Sequence, residues 1–408
     1  MKTYLVGGAV RDSLLGLPIK ERDWVVVGAT VQQMLDLGFK PVGKEFPVFL
    51  HPKTKDEYAL ARTEKKVGRG YHGFEFYASP DVTLEEDLKR RDLTINAIAQ
   101  DDDGTIIDPF HGQKDLKNKI LRHVSDAFAE DPVRILRVAR FAARFADFKI
   151  AAETLQLMKN MVDSGEVDAL VPERVWQELE RALSEKHPER FIEVLRSCNA
   201  LKIIFPEIDN LFGVPNPIDW HPEIDSGIHT LLTLKMAVKL SDDPIIRFAI
   251  LLHDLGKTKT SKELLPKHHG HEKAGVSLIK TLCERLHVPR KYQDLAELVA
   301  RYHGECHKTF ELTPNTVLRL LEKLDAFRRP ERFEKFLIAC EADVRGRLGF
   351  ENKPYPEADH LRKIFAAIAN IDNKKIVEKF SGQQIAQAIH DARLKIIVTI
   401  HSSSRNAQ

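Results

Sequence analysis

Cysteine is scarce in this sequence of 408 residues. Cys198, Cys283, Cys306 and Cys340 are scattered and contain no Cys-x-x-Cys spacing, which argues against a disulfide framework. We therefore interpret them as reduced thiols and expect a cytoplasmic protein.

Long apolar segments are also missing. No stretch approaches the roughly 20 apolar residues that a membrane span needs. The apolar run after Lys2 is broken by Gly7 and Arg11, which is unlike a signal peptide. We expect no membrane partner and no secretory leader.

The sequence has no excess of one charge, because 62 basic and 60 acidic residues leave a net charge of +2. This balance does not indicate a strongly basic nucleic-acid binder, so any contact with RNA must come from local basic patches. The length allows two or three domains, and the hydrophobic fraction of 43% allows sizeable cores.

The N-terminal stretch combines a β-rich run, two adjacent glycines and a short helix. Residues 4–6 favour a strand, Gly7 and Gly8 a turn, and residues 10–15 a helix. Backbone N–H groups can approach a phosphate at such a turn, and Arg11 follows closely. We predict that Gly8 and Arg11 bind phosphate groups.

Two carboxylates follow at the start of the next predicted strand. Glu21 and Asp23 are two positions apart, so their side chains would point the same way from a strand. Adjacent carboxylates repel each other unless a cation lies between them, which predicts catalytic residues that bind one or two Mg²⁺ ions and a nucleoside triphosphate. The alternative is a solvated strand entry.

Further elements of the N-terminal region are predicted from local pattern. Strands are expected at 24–27, 48–50, 58–61 and 106–107, a mobile loop at 65–76, and a helix at 85–99. Leu88, Leu93 and Ile95 are the residues that this helix would bury.

The segment 126–145 predicts a helix with a basic face. Asp131 suits its N-cap, and Pro132 suits its first helical position. Arginines then recur at steps of three, three and four residues, at Arg134, Arg137, Arg140 and Arg144. Like charges at this spacing destabilise a helix unless an anion neutralises them, which favours contacts with a nucleotide and an RNA backbone. The alternative is a solvated basic face.

A second chemical centre is predicted further along the chain. The apolar run 248–252 indicates a buried helix that ends at His253 and Asp254. With His229 on an earlier helix and His303 further on, imidazole and carboxylate groups could bind a divalent metal. The alternative is a hydrogen-bonded His–Asp pair in a core. Additional nitrogen donors are His268, His269 and His271.

The order of these motifs resembles the class II tRNA nucleotidyltransferases, which are the CCA-adding enzymes of the polymerase-β-like superfamily. The similarity runs from residue 1 to at least residue 190 and is carried by GGAVRD, ExD, RRD with a following Asn-Ala, and EDPVR. The His229…His253-Asp254 pattern resembles bacterial members that have an added HD phosphohydrolase domain.

This resemblance implies the addition of C, C and A to the 3′ end of tRNA from CTP and ATP, without a nucleic-acid template. Arg91 would then contact the triphosphate, and Arg137 and Arg140 would contact nucleotide. Glu130, Asp131 and Arg134 would present hydrogen-bonding groups to the edge of the base. A carboxylate accepts from the exocyclic amine of cytosine or adenine, whereas guanine and uracil present a carbonyl there.

For the second centre, the resemblance implies hydrolysis of 2′,3′-cyclic phosphates, 2′-nucleotides and other phosphate esters in tRNA end repair, with a divalent transition metal such as Ni²⁺. The HD pattern usually finishes with a further Asp, which would be expected where Gly304 stands. Asp343 is a candidate substitute, and metal occupancy and hydrolase activity stay open at this point.

We predict an α+β fold in which a polymerase-β-like nucleotidyltransferase head is followed by an all-α neck and an α-helical HD domain. The expected boundaries are 1–140, 141–210 and 211–350, followed by a helical extension at 351–408 whose last residues, from 401, are disordered. The oligomeric state, monomer or homodimer, is left open.

Two other functions fit parts of the sequence. A poly(A) polymerase resembles the same family, but it would add long A runs and have no use for CTP. A phosphohydrolase with an N-terminal RNA-binding module would not need Glu21. A helical scaffold without chemistry is disfavoured by the carboxylate pair and the arginine row.

Overall fold

The computed structural model describes residues 1–42, 48–66, 74–219, 221–372 and 378–405. The chain divides into two compact units, Met1–Ile204 and Phe205–Gln408. Among the described residues, all named strands lie in the first unit, and the second unit is helical. The predicted α+β class is confirmed.

Seven strands of the described residues form one mixed sheet in the order β3-β4-β5-β2-β1-β8-β9. Two small sheets pair β6 with β7 and β10 with β11. The strands are β1 (Lys2–Val6), β2 (Asp23–Val27), β3 (Lys40–Val42), β4 (Val48–Leu50), β5 (Glu57–Leu60), β6 (Thr63–Lys66), β7 (Phe74–Tyr77), β8 (Ala99–Gln100), β9 (Ile106–Ile107), β10 (Ile120–Leu121) and β11 (Lys149–Ile150). The centre of the predicted loop, 67–73, lies outside the described residues, and its flanks form β6 and β7.

Successive side chains of the central strand β2 point to opposite faces of the main sheet. Because these side chains are apolar, both faces of the sheet are apolar. Val25 packs in a cluster with Tyr4 and Val6, whereas Val26 packs on the opposite face with Met34 and Phe49. The sheet thereby becomes a rigid support for the residues at the start of β2.

Helices follow the sheet strands in the first unit. They are α1 (Gly8–Leu14), α2 (Val31–Asp36), α3 (Leu84–Lys89), α4 (Gly112–Asn118), α5 (Val133–Arg144), α6 (Ala152–Asp163), α7 (Pro172–Leu183), α8 (Glu189–Ser197) and α9 (Leu201–Ile204), with 3₁₀ turns at Thr94–Asn96, Asp126–Glu130 and Glu166–Ala169. α5 packs against α7 and α8, so its arginines are held among neighbouring helices.

The predicted helix over 85–99 is wrong in its second half. α3 ends at Lys89, and Leu93 is extended and bridged to His123. The Asp92 carboxylate accepts from the backbone N–H of Leu93 at 2.8 Å, and this local bond competes with helix continuation. The predicted burial of the apolar residues is correct, because Leu88, Leu93 and Ile95 are all fully buried.

The second unit is built from helices of which several are buried on most sides. They are α10 (Pro206–Asp209), α11 (Ser226–Leu240), α12 (Pro244–Leu252), α13 (His271–Arg285), α14 (Arg290–His307), α15 (Pro314–Lys323), α16 (Pro330–Arg345), α17 (Pro356–Ala369) and α18 (Gln383–Arg405), with 3₁₀ turns at Leu255–Lys259 and Thr309–Glu311. Within the described ranges, no helix has the length and apolar character to cross a membrane.

The expectation of a disordered tail from residue 401 is wrong for its first part. α18 extends to Arg405, and His401 is buried with its Nδ1 at 3.0 Å from Nε2 of His360 on α17. Residues 406–408 lie outside the described part of the chain.

Candidate active sites

A polar cavity of about 830 Å³ lies in the first unit. Its lining includes nine residues that were predicted from sequence: Gly8, Arg11, Glu21, Asp23, Arg91, Asp131, Arg134, Arg137 and Arg140. Glu130, which is half-buried at the end of a 3₁₀ turn, does not line this cavity.

The two predicted catalytic carboxylates lie at the mouth of this cavity and are exposed. Asp23 begins β2 and pairs with Val6 on one side and Glu57 on the other. Glu21 lies in the loop before the strand, so the prediction that both carboxylates belong to one strand is wrong for Glu21. Partial burial of its carboxyl group raises the pKa of Asp23, Arg91 lowers it, and Glu21 raises it. The mutual repulsion of the two carboxylates fits a site for a divalent cation.

The glycine turn needs glycine at its first position. Gly7 has φ +67° and ψ −123°, and a Cβ there would lie 3.0 Å from Nη1 of Arg91. Arg11 follows on α1, is buried, and donates from Nη1 to Oδ1 of Asn96 at 2.5 Å and from Nε to Oδ1 of Asp12 at 2.9 Å. The turn therefore places Arg11 and Arg91 beside the N-terminus of α1.

Three of the four arginines of α5 are paired with carboxylates of the protein itself. The pairs are Arg137 with Asp92 at 2.6 Å, Arg140 with Glu178 at 2.6 Å, and Arg144 with Asp12 at 2.8 Å. The argument that a bound anion must neutralise this row is therefore wrong as stated. Because the side chains still line the cavity, they present N–H groups whose positions are fixed by these pairs.

Asp131 bonds to the start of α5, as its predicted N-cap position implied, and it also pairs with Arg174, which was not predicted. Its Oδ1 accepts from the backbone N–H of Val133 at 3.0 Å, and Arg174 donates to Oδ2 at 2.8 Å and to Oδ1 at 3.3 Å. Each carboxylate oxygen accepts about two hydrogen bonds, so Oδ1 is fully used and Oδ2 keeps capacity for one further donor. α5 begins at Val133, one residue later than predicted.

Arg134 is held by backbone carbonyls. Its Nη1 donates to the oxygen of Ala127 and its Nη2 to the oxygen of Arg90, each at 2.7 Å. The guanidinium is thereby fixed in a buried position at the cavity wall.

Sequence reasoning missed much of the lining that α7 and its C-terminal turn contribute. These residues are Arg174, Arg181, Ser184 and Glu185. Local sequence pattern could not show that this end of α7 faces the same cavity as the glycine turn.

The second unit brings together the histidines and carboxylates of the second predicted centre. Nε2 of His229 lies 3.1 Å from Oδ1 of Asp343, and Nε2 of His253 lies 3.7 Å from the same oxygen. These three residues are buried and form a group that could hold a metal ion.

A second group lies next to the first. Oδ1 of Asp254 is 3.6 Å from Nε2 of His271 and 3.9 Å from Nε2 of His303. The two groups are linked because Oδ2 of Asp254 lies 3.2 Å from Nε2 of His253. The predicted His303 therefore belongs to this second group, together with His271.

The close approach of two chain segments positions His271. A Cβ on Gly256 would lie 1.9 Å from the backbone oxygen of His271, so only glycine lets the 3₁₀ turn after Asp254 pack against α13. This contact explains the glycine that follows the His-Asp pair.

The Nδ1 atoms of the four histidines face acceptors outside the two groups. Backbone oxygens accept from three of them, those of Ile250 from His253 at 2.7 Å, of His268 from His271 at 2.7 Å and of Val299 from His303 at 2.9 Å. Nδ1 of His229 lies 2.8 Å from Oε1 of Glu223 and, among the described residues, has no hydrogen bond of good geometry. Such contacts fix the tautomer and turn Nε2 toward the centre, as outer partners of metal ligands do. In the described part of the chain, Nε2 of His253 and of His271 is buried without a hydrogen bond.

Burial alone would raise the pKa of the Asp254 and Asp343 carboxyl groups. His253 lowers both pKa values, aided by Lys257 at Asp254 and by His307 at Asp343, and both groups end well below their ordinary range. Burial also lowers the pKa of His303 to about 3. Ionised carboxylates beside a neutral imidazole are the donor set that a divalent transition metal prefers.

The carboxylate that was expected at position 304 comes from another helix. Gly304 lies next to His303 on α14, and Asp343 on α16 supplies the oxygen near His229 and His253. The predicted sequence position was wrong because a helix packed beside α14 can bring a carboxylate to the same place from a distant part of the sequence.

Comparisons with known proteins match three parts of the chain to family models. Residues 3–122 match the Poly A polymerase head domain, residues 147–212 match the Probable RNA and SrmB- binding site of polymerase A, and residues 227–369 match the HD domain. The Multifunctional CCA protein of Thioalkalivibrio sulfidiphilus is 63% identical over 400 residues, covering 97% of this chain and 98% of the relative. That of Nitrosococcus oceani is 62% identical over 398 residues, with the same coverage.

The chain belongs to the multifunctional CCA protein family.

Solved structures support the fold of this family member. A CCA-adding enzyme in complex with CTP superposes with a TM-score of 0.62 at 23% identity, covering 97% of this chain and 87% of that chain. The Thermotoga maritima CCA-adding enzyme complexed with tRNA superposes with a TM-score of 0.61 at 21% identity, covering 98% and 91%. The resemblance that the sequence motifs carry is confirmed.

Proposed function

We propose that this chain adds C, C and A to the 3′ end of tRNA in the cavity of its first unit, using CTP and ATP. The observation that carries the proposal is the convergence of the exposed Glu21–Asp23 pair, the glycine turn and the arginines of α5 on one cavity of about 830 Å³. Membership of the multifunctional CCA protein family gives the same reaction class.

The residues of the cavity have separate tasks in this proposal. Glu21 and Asp23 would hold Mg²⁺, which when bound acidifies the tRNA 3′-hydroxyl and orients the α-phosphorus for in-line attack with loss of pyrophosphate. Gly8, Arg11 and Arg91 would bind the triphosphate. In the described residues, Nε of Arg91 is buried without a hydrogen bond, which supports a role as a donor to an anion.

Base selection would come from the start of α5. Asp131 accepts from a cytosine or adenine amine, and Arg134 donates to the ring edge. Their fixed geometry supports this, since Arg174 holds Asp131 and two backbone oxygens hold Arg134. Arg137 and Arg140 would contact nucleotide. Glu130 does not line the cavity, so it would act indirectly, through the geometry of the 3₁₀ turn before α5.

The second unit would carry a metal-dependent phosphohydrolase that acts on 2′,3′-cyclic phosphates, 2′-nucleotides and other phosphate esters at tRNA ends. The buried His229, His253 and Asp343 would hold a divalent transition metal, for which Ni²⁺ is our candidate. Asp254 and His303 would line the site next to these metal ligands. The Nε2 atoms turned inward by their Nδ1 contacts support this assignment.

We propose that the protein works in the cytoplasm as a monomer or homodimer. Its four cysteines are free and buried, which supports a reducing compartment. Light scattering during size-exclusion chromatography would separate the two oligomeric states.

The first experiment supplies Mg²⁺ and a tRNA that lacks its 3′ CCA with CTP alone, ATP alone or both nucleotides. We expect two C additions with CTP, and one further A only when both are present. Long A tails from ATP alone would instead support a poly(A) polymerase, and no extension at all would place the chemistry in the second unit.

Variants of the carboxylate pair test the residue roles. We expect Asp23→Asn to lower the rate of C addition by about 100-fold or more, because the metal would lose a charged ligand. Asp36→Asn, on the exposed end of α2, is the matched control and should keep the wild-type rate. Equal rates for Asp23→Asn and the control would refute the assignment.

A further inference from the structure

The chemistry assigned above leaves one buried feature unexplained, the segment Pro354-Tyr355-Pro356 before α17. A residue that precedes proline is kept out of the helical region, and Tyr355 has φ −123° and ψ 73°. Its side chain is buried, and its hydroxyl reaches the end of α14. Two prolines therefore hold one buried hydroxyl in a set position.

The Tyr355 hydroxyl leads to the metal-site carboxylate through one histidine. It lies 2.8 Å from Nδ1 of His307, and Nε2 of the same ring lies 2.7 Å from Oδ2 of Asp343. The hydroxyl oxygen also lies 3.2 Å from Sγ of the buried Cys306. The chain of contacts is therefore continuous from a buried thiol to Asp343.

The hydrogen positions along this chain follow from what each group can do. An ionised carboxylate only accepts, so Nε2 of His307 carries the hydrogen. In a neutral imidazole the other nitrogen then accepts, so the Tyr355 hydroxyl donates to Nδ1.

The two oxygens of Asp343 consequently face different surroundings. Oδ2 accepts from His307, whereas Oδ1 faces Nε2 of His229 at 3.1 Å, Nε2 of His253 at 3.7 Å and Nη2 of Arg347 at 3.8 Å. With Oδ2 engaged in a charge-assisted hydrogen bond, only Oδ1 is presented to the histidine side of the site.

We infer that Tyr355 and His307 are positioning residues that hold Asp343 as a one-oxygen ligand for the metal of the second unit. The inference rests on the proposed phosphohydrolase function and adds two residues that are not among the proposed metal ligands. Neither residue would touch the substrate, and both would act through Asp343.

The test measures metal affinity on the full chain with Co²⁺ as the probe, by visible absorbance and by competition with a chelating dye. Loss of an outer partner of a metal ligand costs about 10- to 100-fold in affinity. We expect that loss for His307→Ala and a smaller loss for Tyr355→Phe. His307→Gln should recover part of the affinity, because its amide can donate to Oδ2.

The matched control is Tyr292→Phe. Tyr292 is a buried tyrosine on α14, and its variant also removes one buried hydroxyl from the same unit. It should keep the wild-type affinity. The double variant His307→Ala with Tyr355→Phe should bind no more weakly than His307→Ala alone, because Tyr355 acts through His307.

Activity adds a second readout. At saturating Co²⁺, kcat for hydrolysis of a 2′,3′-cyclic nucleotide should return close to the wild-type value in Tyr355→Phe and His307→Gln. A kcat that stays low, additive losses in the double variant, or wild-type affinity in His307→Ala would each overturn the positioning role. A wild-type chain that binds no Co²⁺ would overturn both the inference and the proposed hydrolase.

Discussion

At the scale of single residues, the two adjacent glycines of the turn have different backbone environments. Gly7 has a positive φ and lies against Arg91, whereas Gly8 is the first residue of α1, where a Cβ would meet Nη2 of Arg11 at an ordinary 3.5 Å. The two glycines look equivalent in the sequence but differ in backbone conformation.

We therefore predict different outcomes for the two alanine variants. Gly7→Ala should lower the free energy of unfolding of the first unit by about 1–3 kcal/mol, because a non-glycine residue is strained there. Gly8→Ala should cause no such loss, since alanine favours a helix more than glycine does, and should weaken CTP binding instead. Urea denaturation and equilibrium CTP binding check both. Equal stability of the two variants would contradict the assignment.

At the scale of elements, the arginines of α5 join this helix to its neighbours through ion pairs. Arg140 and Glu178 are both largely buried, with side-chain exposures of 12% and 6%, and they join α5 to α7. Removal of one partner from such a pair leaves an uncompensated charge in a cavity wall.

We predict that Glu178→Ala lowers the free energy of unfolding by about 3–5 kcal/mol. The control is Glu193→Ala, which breaks the more exposed pair of Arg190 and Glu193 on α8 and should cost less than about 1 kcal/mol. Chemical denaturation of each variant checks the difference. Similar losses at the two positions would show that burial does not decide the strength of these pairs.

The junction of α17 and α18 should make the second unit sensitive to acid. Burial and the neighbouring His401 lower the pKa of His360 to about 4, against about 6.5 in an unfolded chain. Below pH 6.5 the unfolded chain therefore takes up a proton that the folded chain does not, so stability falls progressively as the pH drops toward 4.

We predict that His360→Gln flattens this part of the stability profile. Melting temperatures measured between pH 7.5 and 4.5 should fall less steeply in the variant than in the wild type. His269→Gln replaces an exposed histidine of the same unit and should leave the slope unchanged. If the slope is the same in all three proteins, His360 is not the group responsible.

At the scale of the whole molecule, each chemical centre is built within one compact unit. All lining residues of the nucleotide cavity lie in Met1–Ile204, and all members of the two histidine–carboxylate groups lie in Phe205–Gln408. No residue of either centre, among those the structure describes, is borrowed from the other unit.

The two activities should therefore respond separately to substitution. We predict that His253→Ala abolishes phosphate-ester hydrolysis and changes the rate of CCA addition by less than about twofold, since distant sites without shared partners act independently. Asp23→Asn should show the reverse pattern. Parallel assays of both reactions on both variants check this, and a loss of both activities in either variant would speak against separate centres.

The sequence by itself determined the local elements and the chemistry that they carry. The β-rich run 24–27 predicted the strand around Val25, and the apolar run before His253 predicted a buried helix, because these signals depend on neighbours in the chain. Motif order also identified Glu21 and Asp23, the arginine row and the family.

Only the tertiary structure decided which distant groups meet. It assigned Asp12, Asp92 and Glu178 to the arginines of α5 and placed Asp343 where a residue beside His303 was expected. These partners lie on other elements, so no local pattern specifies them. These partner residues are selected by packing between helices and by the need to neutralise buried charge. Both effects act only once the chain has folded.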